Sequence, residues 1–290
     1  MRMQILDGGL GGELIRRGVV PSSGMWSAKA LLDSPDEVTK VHRDFIEAGA
    51  DIIITNTYST IPSYLGKSRL ADRYEELTVL AAKMAREVAD AADKEVLVAG
   101  CLPPLGESYR PDMVPADEAA RPVYANLVSA LEPYVDLFIC ETMSSIRESL
   151  NAASMARQIA PRKPIWMAWT LAEEPGQGLR SGESVADAVA ALESLQIDAF
   201  LFNCTSPTAI TAGLESLSEL TDKPTGAYPN RLHIPAGWTL DNDVTSGKIE
   251  MSVAEFVGFA EQWRQRGASI IGGCCGIGPE FIEGLKQARG

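Results

Sequence analysis

The stretch Ala268-Ser269-Ile270-Ile271-Gly272-Gly273-Cys274-Cys275-Gly276 lies near the end of a chain of 290 residues. It is a short apolar run that leads into glycines and two adjacent cysteines. Successive side chains of a strand point to opposite faces of the sheet, so two neighbouring thiols can share one target only where the strand ends. Glycines at that point let the backbone bend into conformations that other residues resist. A strand that ends in polar or metal-binding residues is a pattern that recurs along the chain.

Eight such runs can be counted. They are short, apolar or β-branched, and occupy residues 3–7, 51–58, 95–101, 135–141, 164–171, 198–204, 224–230 and 268–275. Segments with helical patterning lie between and after them, at residues 34–49, 70–93, 117–133, 144–159, 184–196, 207–220, 252–266 and 279–288. Continuous apolar strands followed by helices are typical of a parallel sheet covered by helices. Eight such units predict an α/β fold, a closed (β/α)8 TIM barrel formed by a single domain over residues 1–290.

The first long helix has the clearest boundaries. Ser34-Pro35-Asp36-Glu37 predicts a capping box with proline at the first helical position, and Gly49 is placed to end the helix. The apolar residues between them follow helical spacing at Val38, Val41, Phe45 and Ile46. His42 falls inside this helix and is interpreted as a surface or packing residue. The other histidine of the chain is His233, in the loop after the seventh run.

Composition excludes several classes of function. Hydrophobic residues make up 46% of the chain, enough for a sizeable core, and the net charge of −13 argues against nucleic acid or an anionic membrane as a partner. The chain has no membrane-length apolar run and no apolar segment of the signal-peptide kind at its start. Five cysteines, an odd number, do not suggest a disulfide framework. We therefore expect a cytoplasmic protein whose clustered cysteines are metal ligands or reactive groups.

Three cysteines that end strand-like runs predict a metal site. Cys204 closes the sixth run, and Cys274 and Cys275 close the eighth. The carboxyl ends of barrel strands form one rim, where barrel enzymes carry their chemistry. Three thiolates around one open position suit a catalytic Zn²⁺ site, and the alternatives are a vicinal disulfide or inert thiols. The remaining two, Cys101 and Cys140, are interpreted as small core residues, with Cys101 the nearer to the rim.

A thiol from a substrate would fill the open position of such a site. A free alkyl thiol has a pKa of about 8.5, and coordination to a metal removes its proton. Three thiolates around a divalent ion also leave the site with a formal negative charge. That excess keeps a bound sulfur electron-rich and suits attack on a methyl group carried by a cation.

These residues resemble the homocysteine S-methyltransferase family over nearly the whole chain. The most specific motifs are Asn203-Cys204 and Gly272-Gly273-Cys274-Cys275-Gly276. The supporting motifs are Asp7-Gly8-Gly9, Trp26-Ser27-Ala28-Lys29, Ala48-Gly49-Ala50-Asp51, Thr55-Asn56-Thr57-Tyr58 and Cys140-Glu141-Thr142. The family includes betaine– and S-methylmethionine–homocysteine methyltransferases and the homocysteine domain of cobalamin-dependent methionine synthase.

The resemblance implies a zinc-dependent barrel that transfers a methyl group to homocysteine and gives methionine. It assigns Cys204, Cys274 and Cys275 as the zinc ligands. It assigns Asp7 and Glu141 as the acidic residues that hold the amino-acid end of homocysteine, and a carboxylate is the natural partner of an ammonium group.

Other interpretations of the same residues stay open. Asp7 is also a turn former before glycine, and Glu141 a charge near a helix N-terminus. Asn203, a third candidate for binding the substrate, either orients a ligand or satisfies loop backbone. The same zinc chemistry would methylate another thiol or a selenol such as selenocysteine. A zinc hydrolase would favour histidine and carboxylate ligands, and a non-catalytic zinc-binding barrel is the remaining alternative. Oligomeric state has no signature in the sequence.

Two segments bear on the methyl donor. The third strand ends in Gly100-Cys101-Leu102-Pro103-Pro104, where family members more often have a Gly-x-x-Gly-Pro turn, and this loop is expected to border the donor. Trp26-Ser27-Ala28-Lys29 resembles the S-methylmethionine and S-adenosylmethionine users more than the betaine users. Residues 231–248 are long enough for a lid. Aromatic rings attract onium cations. The candidates near the rim, each also explained by barrel packing, are Tyr58, Trp169, Tyr228 and Trp238.

Overall fold

Eight parallel strands form one sheet, in the order β1-β8-β7-β6-β5-β4-β3-β2, in a computed structural model that describes residues 2–19, 27–232, 234 and 250–289. The strands are β1 (Gln4–Ile5), β2 (Ile52–Ile54), β3 (Leu97–Leu102), β4 (Leu137–Met143), β5 (Ile165–Trp169), β6 (Ala199–Asn203), β7 (Thr225–Tyr228) and β8 (Ala268–Ile271). A bridge between Leu6 and Ile52 joins the two ends of the sheet and closes it. The predicted (β/α)8 barrel is confirmed.

Helices surround this sheet and follow the strands in the chain. They are α1 (Leu10–Arg16), α2 (Ala28–Asp33), α3 (Pro35–Ala48), α4 (Pro62–Gly66), α5 (Tyr74–Asp90), α6 (Asp117–Leu131), α7 (Ile146–Ile159), α8 (Val185–Ala191), α9 (Pro207–Ser218), α10 (Val253–Gln265) and α11 (Pro279–Arg289). The short helices α1, α2 and α4 were not predicted, and α8 ends earlier than its pattern indicates. Within the described ranges, no helix is both long and apolar enough to cross a membrane.

The buried side chains fall into two layers, as the alternation along parallel strands requires. The outer layer lies between sheet and helices and contains large residues such as Phe45 and Trp263. The barrel interior is filled by inward-facing residues, namely Leu6, Ile52, Ala99, Cys101, Leu137, Ile139, Trp166, Ala168, Ala199, Leu201, Tyr228 and Ile270. This interior forms the floor beneath the rim at the carboxyl ends of the strands.

Helix α3 begins and ends where the sequence predicts, but its capping box is wrong. Pro35 occupies the first turn, and Gly49 ends the helix with a left-handed φ of 127°. The Ser34 side chain caps no described amide, and the Glu37 N–H donates instead to the Ser34 carbonyl at 3.0 Å. The reason is that Ser34 also ends α2, so its backbone is set by the junction of two helices. A complete capping box forms in α10, between Ser252 and Glu255.

His42 is a packing residue, and the surface alternative is wrong. Its side chain is fully buried in α3, and neither ring nitrogen has a hydrogen-bond partner in the described part of the chain. Burial lowers the pKa of His42 to about 4. The His42 ring is therefore neutral in the folded protein at neutral pH.

This burial predicts a loss of stability in mild acid. The folded-state pKa of His42 is depressed, so unfolding takes up a proton as the pH falls through the ordinary histidine value towards 4. Between pH 7 and pH 5 the unfolding free energy of the native protein should fall by about 2 kcal/mol more than that of His42→Phe. Urea unfolding at the two pH values measures this difference. Equal pH dependence in both proteins would contradict the assignment.

Candidate metal and substrate site

The three predicted cysteine ligands meet at the rim. Cys274 and Cys275 lie just beyond β8, in a turn where the Cys274 carbonyl accepts from Ile277 N–H at 3.1 Å. Cys204 follows β6 and takes a left-handed φ of 49°. The three Sγ atoms all lie within 4.8 Å of one another. The end of β8 thus lets two neighbouring thiols face one point, which is shared with Cys204.

The glycines beside these cysteines allow neighbouring segments to pack closely, and this matters more than the bending of the backbone. A Cβ on Gly273 would lie 2.1 Å from Ile277 Cγ2, and one on Gly9 would lie 2.4 Å from the Cys274 carbonyl oxygen. Real atoms do not approach so closely, so only glycine fits at either position. The loop after β1 therefore packs directly on the backbone of the cysteine turn. A left-handed φ, the expected reason for these glycines, occurs at Gly276.

The sulfur atoms offer a set of donors that fits a soft metal ion. Cys204 and Cys274 are joined in a disulfide with a Cα–Cα distance of 5.7 Å, and Cys275 is free. In a tetrahedral zinc site with bonds of ≈ 2.3 Å, the sulfur atoms are about 3.8 Å apart, so the reduced cysteines need little movement to share one ion. Burial, and then the charge of Glu141, raises the pKa of the Cys275 thiol to about 12. A bound cation would supply the charge that this thiol needs to ionise.

Asp7 presents a buried carboxylate oxygen without a partner. Its Oδ2 accepts from Ile54 N–H at 2.9 Å. Its Oδ1 is buried and finds no hydrogen-bond partner among the described residues. Burial, together with the charge of Glu141, raises the pKa of Asp7 well above its usual range, although the Ile54 amide opposes this shift. Burying such an oxygen costs free energy unless a ligand donates a hydrogen bond to it.

Glu141 lies beside Asp7, on a bulge in β4. The register of β4 against β5 shifts between Cys140 and Met143, and Thr142 inside the bulge has a φ of 60°. Bulges re-aim side chains next to functional sites. Burial raises the pKa of Glu141 to about 7, and the hydrogen bond that the Cys101 thiol donates opposes this rise. The rim thus carries two close, buried carboxylates.

A small cavity of about 70 Å³ connects these groups. Asp7, Glu141 and the three cysteines line it, and no described lining residue is a lysine, arginine or histidine. The described lining of this cavity is therefore acidic and suits cations rather than anions.

A larger cavity of about 750 Å³ lies at the opposite end of the barrel. Its lining is charged, and some of its cations already have partners. Arg289 bonds to Asp51, and Lys94 donates to the Ala50 carbonyl at 2.6 Å. It contains no thiol, so we assign the chemistry to the smaller cavity.

Comparison with known proteins agrees with this geometry. A family model described as homocysteine S-methyltransferase matches residues 4–289. The chain is 31% identical to the homocysteine S-methyltransferase of Escherichia coli (strain K12), covering 97% of this chain and 94% of that protein. It is 29% identical to the selenocysteine methyltransferase of Astragalus bisulcatus, with 99% and 92% covered. The metallated crystal structure of the homocysteine methyltransferase MmuM from Escherichia coli matches with a TM-score of 0.83 at 28% identity, covering 99% of this chain and 96% of that one.

The chain belongs to the homocysteine S-methyltransferase family. It is therefore an enzyme of the methyltransferase class. The resemblance inferred from the sequence is confirmed.

In this member of the homocysteine S-methyltransferase family, Asn203 supports the bulge that carries Glu141. Its Oδ1 accepts from Thr142 N–H at 2.9 Å, and its Nδ2 donates to Thr142 Oγ1 at 2.8 Å. Both ends of the amide thus hold a threonine in a conformation that β-branched residues rarely adopt. Asn203 therefore satisfies a backbone amide of β4, and its binding of substrate stays a prediction.

The aromatic candidates divide between site and core. Tyr58 lines the cavity, and its hydroxyl lies 2.6 Å from Ser108 Oγ. Trp169 faces the outer layer, where its indole N–H donates to Ser149 Oγ at 2.9 Å, so it is a packing residue. Tyr228 belongs to the barrel interior, under Glu141. Trp238, His233 and most of residues 231–248 lie outside the described residues.

Sequence reasoning missed Tyr109, which also lines the cavity. It lies in the loop after β3, the loop expected to border the donor. Its ring packs under the guanidinium of Arg180 at 5.0 Å, and Arg180 is itself paired with Glu173 at 2.9 Å. The sequence did offer a signal for Tyr109, because it is an aromatic residue in a loop that was already expected to border the donor.

The close contact at Gly9 predicts a steric effect on the cysteine turn. Gly9→Ala should push the Cys274 carbonyl and lower the free energy of unfolding by about 2 kcal/mol. Gly12→Ala is the matched control, because its Cβ meets no atom nearer than 3.4 Å and alanine favours the helix. Thermal unfolding of the two purified variants provides the comparison. Equal behaviour of both would show that the glycine contact is unimportant.

Proposed function

We propose that this enzyme transfers a methyl group from a small onium donor to the sulfur of homocysteine, with the help of zinc, and releases methionine. One observation carries the proposal. Three cysteine sulfurs converge beside Asp7, whose buried Oδ1 has no partner in the described residues. Homocysteine offers a sulfur for the first feature and an ammonium group for the second. The names of the relatives support the same substrate.

Cys204, Cys274 and Cys275 are the residues that would hold Zn²⁺, once the bond between Cys204 and Cys274 has been reduced. Thiolates are soft ligands that suit this ion, and three of them leave a fourth position for a substrate. Bound zinc would keep the sulfur of homocysteine as a thiolate at neutral pH. The chain itself offers no histidine at the described cavity lining to take that proton.

The carboxylates would fix the direction of the acceptor. Asp7 and Glu141 bind its ammonium group, which relieves the burial of two negative charges. The acceptor sulfur then attacks the methyl carbon of the donor in line with the bond that breaks. A sulfur–carbon bond forms, and the electron pair of the broken bond leaves with the donor heteroatom, which becomes neutral.

Two tyrosines support a cationic donor. Tyr58 and Tyr109 line the cavity, and aromatic faces attract sulfonium and quaternary ammonium groups. The resemblance at Trp26-Ser27-Ala28-Lys29 favours S-methylmethionine or S-adenosylmethionine over betaine. Incubation of the zinc-loaded enzyme with homocysteine and each donor identifies the one that yields methionine.

Selenocysteine is a second candidate acceptor, favoured by the similarity to the selenocysteine methyltransferase of Astragalus bisulcatus. It differs from homocysteine in its selenium and in having one methylene fewer. Both acceptors carry the same ammonium group. Competition between them for the same donor decides which is preferred, by the ratio of kcat/KM.

Removal of any one thiol should abolish the reaction. Cys204→Ser, Cys274→Ser and Cys275→Ser should each lose zinc and reduce methionine formation by on the order of 100-fold or more, because the acceptor sulfur is no longer activated. Cys140→Ala is the control, since Cys140 is buried in the outer layer. Metal analysis and activity after reduction measure both effects. Full activity of a zinc-free variant would refute the proposed role of zinc.

Asp7→Asn should selectively weaken the binding of an acceptor that carries an ammonium group. The amide keeps an oxygen for the Ile54 N–H but loses the charge that attracts ammonium. We expect KM for homocysteine to rise by about tenfold or more. The analogue 4-mercaptobutyrate, which is homocysteine without its amino group, should be used equally by both proteins. An equal loss with both acceptors would mean that Asp7 does not bind ammonium.

A further inference from the structure

The carboxylate of Glu141 is held from inside the barrel by a cysteine that is not part of the metal cluster. Cys101 Sγ donates to Glu141 Oε2 at 3.2 Å, and both side chains are buried. Cys101 lies on β3 and faces the barrel interior. Cys140, the residue before Glu141, faces the outer layer instead. Two cysteines with the same burial therefore differ in whether their thiol contacts the Glu141 carboxylate.

The backbone of Cys101 is fixed by the segment that follows β2. Its amide N–H donates to Thr55 Oγ1 at 3.1 Å, and its carbonyl accepts from Thr57 Oγ1 at 3.0 Å. The two threonine hydroxyls lie 2.8 Å from each other. Because the backbone is held on both sides, the thiol contact restricts where the Glu141 carboxylate can lie.

The Cys101 thiol stays a hydrogen-bond donor at neutral pH. Burial raises the pKa of this thiol well above its usual range, and the charge of Glu141 raises it further. An S–H group is a weak donor, so the carboxylate keeps most of its charge for a ligand. Tyr228 approaches the same carboxylate, but its buried hydroxyl makes no hydrogen bond of normal length with a described residue.

Asp7 and Glu141 are anchored in the same manner. The Ile54 amide takes Oδ2 of Asp7, and the Cys101 thiol takes Oε2 of Glu141. Both carboxylates line the cavity beside the cysteine cluster. Each therefore has one oxygen held by the barrel, while the group as a whole faces the space for a ligand.

We propose that Cys101 is a positioning residue, which fixes Glu141 for the ammonium group of the acceptor. Through this contact the barrel interior makes the site select amino-acid thiols over thiols that carry no ammonium. The inference rests on the proposed function, because it takes Glu141 as a ligand of that ammonium.

The test compares the affinity of zinc-loaded proteins for homocysteine and for 4-mercaptobutyrate by calorimetry. Cys101→Ala should weaken homocysteine binding about tenfold and leave the binding of 4-mercaptobutyrate unchanged. Cys101→Ser, which restores a donor, should recover most of the loss. Cys140→Ala is the matched control and should keep the native preference. Zinc content should be the same in all four proteins, and kcat in Cys101→Ala should stay within about twofold of native.

Several outcomes would overturn the inference. Equal weakening of both ligands, an equal effect of Cys140→Ala, or loss of zinc from Cys101→Ala would each indicate a structural or metal-supporting role. Failure of the native protein to bind homocysteine would overturn it together with the proposed function. If the native protein binds homocysteine but forms no methionine with any donor, the proposed function fails, and the affinities still decide the role of Cys101.

Discussion

The barrel closes at Asp7, and the site depends on that closure. The Asp7 N–H donates to the Ile52 carbonyl at 3.0 Å, and its carbonyl accepts from Gly273 N–H at 2.9 Å. Its carboxylate accepts from Ile54 N–H. One residue thus joins the first strand to both the second and the last. Because the last strand leads directly into the cysteine turn, closure brings a carboxylate and thiols from opposite ends of the chain into one cavity.

This cavity gathers acids without a matching base. Burial raises the pKa of Asp7, of Glu141 and of Cys275, and no described lining residue carries a positive charge. Buried anions without partners are expensive, so such groups hold their protons until a cation replaces them. A metal ion and a substrate ammonium are two cations that the proposed reaction supplies.

The eight strands and the rim could be predicted because apolar runs and the polar residues that end them are local patterns. Other features depend on information that a local pattern lacks. An all-apolar strand does not reveal which alternate residues face inward. The sequence therefore could not show that Trp169 faces the helices and not the barrel interior. The burial of His42 could have been predicted from the helical spacing. His42 is four residues from Val38 and three from Phe45, so it lies on the same apolar face of α3. The contacts of Tyr109 and of Cys101 arise between strands and loops distant in sequence.

The central claim is that three cysteines hold zinc and that the sulfur of homocysteine becomes its fourth ligand. X-ray absorption at the zinc edge, recorded on the reduced, zinc-loaded enzyme before and after addition of homocysteine, tests this directly. The account predicts about three sulfur ligands at ≈ 2.3 Å before addition and four afterwards. A sulfur count that stays unchanged when homocysteine binds, or zinc held by oxygen and nitrogen ligands, would contradict it.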